Sequence, residues 1–220
     1  MKIHKEGKRI IFYGLCVATV LLILLILFLL IGVPNKPEII CLCIIMFVII
    51  CLSFFYRHPS REFVKDDCAI FIPADGKIVA VEKVIEKDYF EKPMLQVSIF
   101  MSIFNVHINW VPVSGTVMWK NHTDGENYPA YNPKSSNLNE KCQTVIKIDD
   151  GKEIMVTQIA GIMARRVVNQ KTVGEKLIQG DELGIIKFGS RVDVFLPTDA
   201  NIQVKVNQRV RAMKTVLVKL

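Results

Sequence analysis

Gly184-Ile-Ile-Lys-Phe-Gly-Ser-Arg-Val-Asp-Val-Phe-Leu-Pro197 sets two short apolar runs on either side of a Gly-Ser pair. Within it, Val192-Asp-Val-Phe195 alternates apolar and polar residues, the period of a strand with one face in a core. The same period recurs upstream and downstream. Ile78–Val84, Leu95–Phe100, Thr144–Ile148, Ile154–Ile159 and Ile202–Val206 all read as strands, and Asp149-Asp-Gly-Lys152 reads as a hairpin turn with the glycine such turns favour. Helical periodicity is hard to find after Phe55. The chain from Arg57 onward is therefore expected to be one mainly β (α+β) domain with a few short helices, of a size ordinary for a single domain. In that setting a Gly-Ser pair is usually a bulge or bend. It is also a bond that its own serine hydroxyl can attack.

The N-terminal quarter follows a different rule. Ile10 to Gly32 and Ile39 to Phe55 contain no charged side chain. The first run reaches the roughly 20 residues a helix needs to cross about 30 Å of hydrocarbon, and the second is at the short end of that range. Between them, Val33-Pro-Asn-Lys-Pro-Glu38 carries two prolines that cannot continue a helix. A transmembrane hairpin with spans at about 10–32 and 39–55 is expected. Lys2, Lys5, Lys8 and Arg9 precede the first span and Arg57, Arg61 and Lys65 follow the second, which places both ends, and the domain after them, on the cytoplasmic side of the cell membrane. A secretory signal peptide fits less well, because the run is long, lacks a small-residue cleavage site and is followed by a second span. The boundary falls near Tyr56-Arg-His-Pro59, giving a membrane hairpin over 1–56 and a soluble domain over 57–220.

Charge and cysteine usage narrow the partners. The net charge is +7, part of it beyond Asp199, where Lys205, Arg209, Arg211, Lys214 and Lys219 meet no acidic residue. Beside a membrane hairpin, anionic lipid explains such a face more simply than nucleic acid does, and an ordinary solvated face explains it equally well. Cys16, Cys41, Cys43 and Cys51 lie in the apolar runs, leaving only Cys68 and Cys142 in the remainder, and no metal-ligand spacing appears. Asn121 to Glu140 is polar, carries prolines and aromatics, and is too long for a connector. Loops of that length are functional lids or mobile excursions.

Four segments together resemble the phosphatidylserine decarboxylases, in their short membrane-anchored branch. They are Pro73-Ala-Asp-Gly-Lys-Ile-Val79, Phe100-Met-Ser-Ile-Phe-Asn-Val-His-Ile-Asn-Trp-Val-Pro-Val-Ser-Gly115, Gln158-Ile-Ala-Gly-Ile-Met-Ala-Arg-Arg166 and Phe188-Gly-Ser190. Each alone has an ordinary reading: Asp75-Gly76 as a turn, His107 as a core histidine, Arg165-Arg166 as an exposed pair. Their order and spacing make the resemblance specific. It implies a barrel-sandwich-like decarboxylase domain that cuts its own Gly189-Ser190 bond, leaving a β chain of 1–189 and an α chain of 190–220. Ser190 becomes a covalent pyruvoyl group, the only cofactor implied. The substrate implied is phosphatidylserine, with phosphatidylethanolamine as product, and no nucleic acid is involved.

The chemistry accounts for these residue types. Attack of Ser190 Oγ on the Gly189 carbonyl converts the amide to an ester, elimination leaves dehydroalanine, and hydrolysis gives pyruvoyl and ammonia. The lipid amine then forms a Schiff base with the ketone, which takes up the electron pair left by carbon dioxide. By resemblance, Asp75 serves the self-cleavage. His107 is the candidate for returning a proton to carbon, since imidazole titrates near working pH. Arg165 and Arg166 could clasp the lipid phosphate with forked donors.

One position departs from the family. A second histidine stands three residues after the first in larger members, and here that place is Trp110. Either His107 serves both steps, or cleavage relies on Asp75 and backbone groups. Two alternatives stay open. The lipid could have an archaeal ether backbone, since a headgroup site need not read the tails. Gly174 to Gly184 and Ala212-Met-Lys214 are also similar to biotinyl and lipoyl carriers, although only six residues follow Lys214 and a carrier sandwich needs further strands. Assembly into homo-oligomers is left open.

Overall fold

The computed structural model describes residues 2–31, 36–125, 138–161, 166–187 and 190–220. Its contacts divide the chain into two units, Met1–Arg61 and Glu62–Leu220.

The first unit is built on two helices, α1 (Lys5–Leu30) and α2 (Lys36–Phe55). They run antiparallel, because the two-residue strands β1 (Lys2–Ile3) and β2 (Arg57–His58) pair at their outer ends, and His4 N–H donates to the Tyr56 carbonyl at 2.8 Å. Gly14 faces Ile49, where a Cβ would stand 3.2 Å from Ile49 Cγ1, so the small residue sets how closely the helices approach. Ile11, Ala18 and Ile49 fill that contact, while Phe12, Tyr13, Phe47 and Ile50 point outward. An apolar exterior of this extent requires lipid or a partner surface. The hydroxyls of Thr19 and Ser53 donate to the carbonyls of Leu15 and Ile49 one turn back, so neither is left unsatisfied in an apolar setting. Lys5–Phe28 is long and apolar enough to cross a bilayer, whereas the apolar part of α2, Ile39–Phe55, is shorter. Residues 32–35 of the expected turn lie outside the described residues.

The second unit is mainly β, as expected. Its strands are β3 (Ala69–Phe71), β4 (Gly76–Glu86), β5 (Lys92–Met101), β6 (Ile108–Trp110), β7 (Gly115–Thr123), β8 (Lys141–Lys147) and β9 (Glu153–Ala160), followed by β10 (Val167–Val168), β11 (Lys176–Leu177), β12 (Glu182–Ile186), β13 (Ser190–Leu196), β14 (Arg209–Val210) and β15 (Val216–Lys219). Eight form one sheet in the order β11-β7-β8-β9-β13-β5-β4-β14, with β10-β12-β6 and β15-β3 as smaller sheets, and every pairing is antiparallel. The large sheet curls, and the smaller sheets pack on its apolar face. Ile78, Ile99, Val192, Leu183, Val167 and Leu217 meet in that core, so all three sheets contribute to it.

Alternation along β13 explains its central place. Val192, Val194 and Leu196 enter the core, and Arg191 and Asp193 take the other face. The expected turn over 149–152 joins β8 to β9, with Gly151 at φ 86°, a left-handed conformation glycine adopts without steric cost. Ile202–Val206 differs from the expected strand. It makes one bridge, Ile202 to Val218, before a turn in which Asn207 has φ 72°. Its bonds go elsewhere: Gln203 N donates to Leu217 O at 2.9 Å and Lys205 N to Gln208 Oε1 at 2.9 Å. The polar stretch from Asn121 is shorter as a loop than the sequence suggests, since β7 runs through Thr123 and pairs with β8 from Lys141. Residues 126–137, where the lid reading falls, lie outside the described residues.

Candidate active site

Ser190 opens β13, opposite Met101 at the end of β5 on one side and Ala160 at the end of β9 on the other. It is fully buried. Its hydroxyl donates to Met101 Sδ at 3.3 Å, a soft and weak acceptor that fixes the rotamer without drawing the proton away. Phe188 and Gly189, the first half of the expected cleavage segment, lie outside the described residues.

The turn after β5 brings His107 to the same end of the sheet. Asn105 N–H donates to the Ser102 carbonyl at 2.9 Å, and Asn105 Oδ1 accepts from Ser102 N at 2.9 Å, closing a tight loop. His107 Nδ1 lies 3.0 Å from the Asn105 carbonyl, so the fully buried imidazole carries its proton on Nδ1 to make that bond, leaving Nε2 for other partners. The His107 carbonyl accepts from Ile186 N, the last residue of β12, at 3.2 Å. The chain that leads into Ser190 is thus tied to His107 just before it arrives.

Asp75 lies in the β3–β4 connection, and its Oδ1 accepts from Ala212 N at 2.9 Å. Next to it, Gly76 packs on the Phe100 carbonyl, which leaves no room for a Cβ. Lys77 is opposite Phe100, and Phe100 is opposite Arg191. The ladder therefore sets the backbone of Asp75 and Gly76 at the same end of the sheet as Ser190, two strand spacings away, about 10 Å. The Ala212-Met213-Lys214 segment, which resembles a carrier tip in sequence, is here a turn with Met213 at φ 61°, and it supplies the partner of Asp75.

Arg166 is exposed, and its carbonyl accepts from Lys187 N at 3.2 Å, so its backbone too lies close to the entry of β13. Arg165 lies outside the described residues. Among the described residues no group of three or more His, Cys, Asp or Glu side chains could hold a metal ion.

A sequence profile of phosphatidylserine decarboxylases matches residues 49–218. The whole chain is similar to phosphatidylserine decarboxylase proenzymes of Amoebophilus asiaticus (42% identity, covering 100% of this chain and 97% of that protein), Cytophaga hutchinsonii (42%, 99% and 98%) and Porphyromonas gingivalis (41%, 100% and 99%). The chain belongs to the phosphatidylserine decarboxylase family. It is an enzyme of the decarboxylase class, as the four segments imply, and the carrier reading falls away.

Several buried polar residues near the family's Gly-Ser segment are invisible to motif reading. Arg191 Nε donates to Asp193 Oδ1 at 2.6 Å and its Nη2 to Ser98 Oγ at 2.9 Å, while Gln96 Nε2 reaches Asp193 Oδ2 at 3.0 Å. On the core face, Asn109, Gln158 and Thr144 are fully buried among apolar side chains. For two of them the signal in the sequence is a polar residue whose strand neighbours two residues away are apolar: Gln158 shares its face with Val156 and Ile154, and Thr144 with Cys142 and Ile146.

Proposed function

We propose that this protein decarboxylates phosphatidylserine to phosphatidylethanolamine at a membrane surface, using a pyruvoyl group made from Ser190 by self-cleavage of the Gly189-Ser190 bond. The observation that carries this reading is a buried serine at the first position of a central strand, its hydroxyl held on a thioether, in a chain that matches proenzymes over its whole length. A pyruvoyl group fits there, because among the described residues the Ser190 side chain meets the Met101 thioether and is enclosed by the ends of β5 and β9. Such a group supplies a ketone that condenses with the lipid amine and accepts the electron pair released with carbon dioxide.

The chain's own residues have three tasks. Ser190 Oγ must lose its proton and attack, and Asp75, held by Ala212 N, is assigned to that stage. His107, held through Nδ1 by the Asn105 carbonyl, is assigned to take up a proton at Nε2 and then return it to the substrate carbon. Arg165 and Arg166 are assigned to the lipid phosphate, for which forked guanidinium donors suit best. The apolar helices hold the domain, 57–220, at the membrane, on the cytoplasmic side by the distribution of basic residues.

The test is the intact mass of the purified chain. Two chains broken after Gly189 are expected, with the smaller one blocked to N-terminal sequencing. Ser190→Ala is expected to stay whole and inactive. A single full-length mass from active protein would remove self-cleavage from the account.

A further inference from the structure

The connection from β5 to β6 begins with a four-residue turn at the Ser190 end of the large sheet. Asn105 N–H donates to the Ser102 carbonyl at 2.9 Å, while Asn105 Oδ1 accepts from Ser102 N at 2.9 Å and from Ser102 Oγ at 3.0 Å. Three hydrogen bonds within four residues hold the turn closed and leave its two central residues, Ile103 and Phe104, at the tip. Central turn positions ordinarily carry Gly, Pro, Asn, Asp or Ser. Here they carry large apolar side chains that are 47% and 71% exposed. In the second unit, among the described residues, every other exposed large apolar side chain stands alone in sequence, which is ordinary for a protein surface, and Ile103–Phe104 is the one adjacent pair.

The turn is tied to the residues assigned to chemistry. Its Asn105 carbonyl lies 3.0 Å from His107 Nδ1, and Met101, the residue before it, is the strand partner of Ser190. Ile103 and Phe104 stand two and three residues beyond Met101, so the chain carries their backbone at most about 7–11 Å past it, at 3.3–3.6 Å per residue. Positive charge lies at the same end, where exposed Arg166 accepts through its carbonyl from Lys187 N at the entry to β13. A rigid apolar tip beside basic side chains suits the boundary between lipid headgroups and acyl chains. The lengths agree. The headgroup layer on each side of a bilayer is about 5–8 Å deep, so with the tip at the acyl boundary the Ser190 end stands at headgroup depth.

We propose that the Ile103–Phe104 tip enters the apolar layer of an anionic phospholipid bilayer and sets the Ser190 end of the domain at the depth of the lipid headgroups. The inference rests on the reading that this chain decarboxylates phosphatidylserine, whose headgroup must reach Ser190 while its acyl chains stay in the bilayer. It adds a contact made by the second unit's own residues to the hold given by the apolar helices. Ile103 and Phe104 touch lipid rather than the reacting atoms, so they position the site and take no part in its chemistry.

The test compares the full-length chain reconstituted into vesicles of long-chain phosphatidylserine with the same chain in detergent acting on short-chain, water-dispersed phosphatidylserine. The double variant Ile103→Ser/Phe104→Ser is expected to turn over dispersed lipid within twofold of the parent and to lose at least tenfold on vesicles, since moving one large apolar side chain out of water is worth roughly tenfold or more. Phe104→Leu, which keeps an apolar tip, is expected to retain at least about a third of the parent's vesicle turnover. Phe104→Trp reads the contact directly. Lipids brominated on their acyl chains should quench its fluorescence beyond the quenching of the parent, whose Trp110 is buried and Trp119 half-buried. Vesicle turnover of the double variant within twofold of the parent, equal losses on both lipids, or no added quenching in Phe104→Trp overturns the proposal. A changed oligomeric mass of the double variant in detergent, with no added quenching, assigns the tip to a second copy of this chain instead. A parent that releases no carbon dioxide from either lipid overturns the decarboxylation reading, and the quenching then decides the tip by itself.

Discussion

At Ser190 a hydroxyl donates to a thioether, and at His107 a ring nitrogen is held by a backbone carbonyl. In the proposed mechanism the first group attacks during self-cleavage, and the second returns a proton in a later step. These separate demands predict separate phenotypes. His107→Ala is expected to be cut, at least in part, but to lose about 10²–10⁴-fold in turnover, the usual contribution of a positioned acid or base. Asp75→Ala is expected to accumulate as precursor. Gel separation of the two chains, beside carbon dioxide release from serine-headgroup lipid in detergent, reads both. A His107→Ala protein that is folded, cut and as active as the parent removes His107 from the mechanism. Ser190, His107 and Asp75 can be proposed from the sequence because each sits in a short segment of distinctive order. Asn109 and Gln158 cannot, because an isolated amide in a strand looks like the solvated face until the ladder turns it inward.

Among the elements, β13 carries the most. It pairs over Ser190–Leu196 with β5 and over Ser190–Phe195 with β9, so the fragment that the proposed cleavage would release at Ser190 would stay clamped between two strands. Its outer face holds the buried Arg191–Asp193 pair at 2.6 Å, supported by Ser98 and Gln96. Removing one partner leaves an uncompensated charge, so Asp193→Ala is expected to cost about 3–5 kcal/mol, read as a loss in denaturant midpoint. A loss under about 1 kcal/mol would mean that water reaches Arg191. On β8, burial pushes the Cys142 thiol up to about 11, against an ordinary 9.0. Between roughly pH 9 and 11 the unfolded thiol ionises while the native one stays neutral, so the unfolded state binds fewer protons and stability falls as pH rises. Thermal melts across that window should fall less steeply for Cys142→Ala than for the parent, and equal slopes would place the titration elsewhere. The strands themselves are legible from their period. The exception, Ile202–Val206, has a strand's composition, but its backbone groups are claimed singly by Leu217, Val218 and the Gln208 side chain.

For the whole molecule, the sequence changes at Tyr56–Pro59 from continuous apolar to short alternating runs, and the contacts divide the chain into two units at Arg61 and Glu62. The strand order is not legible in the same way, because β13 lies between strands that begin about 100 and 40 residues earlier, and pairing over such separations depends on the closed core rather than on local pattern. The core of the second unit draws every member from residues after Glu62, and the residues assigned to chemistry all lie there. The first unit offers an apolar exterior, each large side chain worth about 1.5–3 kcal/mol on leaving water. Removing Met1–Arg61 is therefore expected to leave a domain that folds and cuts itself at the parent rate. Its turnover of short-chain, water-dispersed phosphatidylserine should match the parent, while turnover of the same lipid in vesicles should fall by at least tenfold, because the loss is in delivery to the membrane rather than in chemistry. Vesicle and dispersed-lipid assays run side by side on the truncated and full chains measure that ratio. Equal losses on both substrates, or a folded truncation that stays uncut, would show that the helices act on the catalytic step itself.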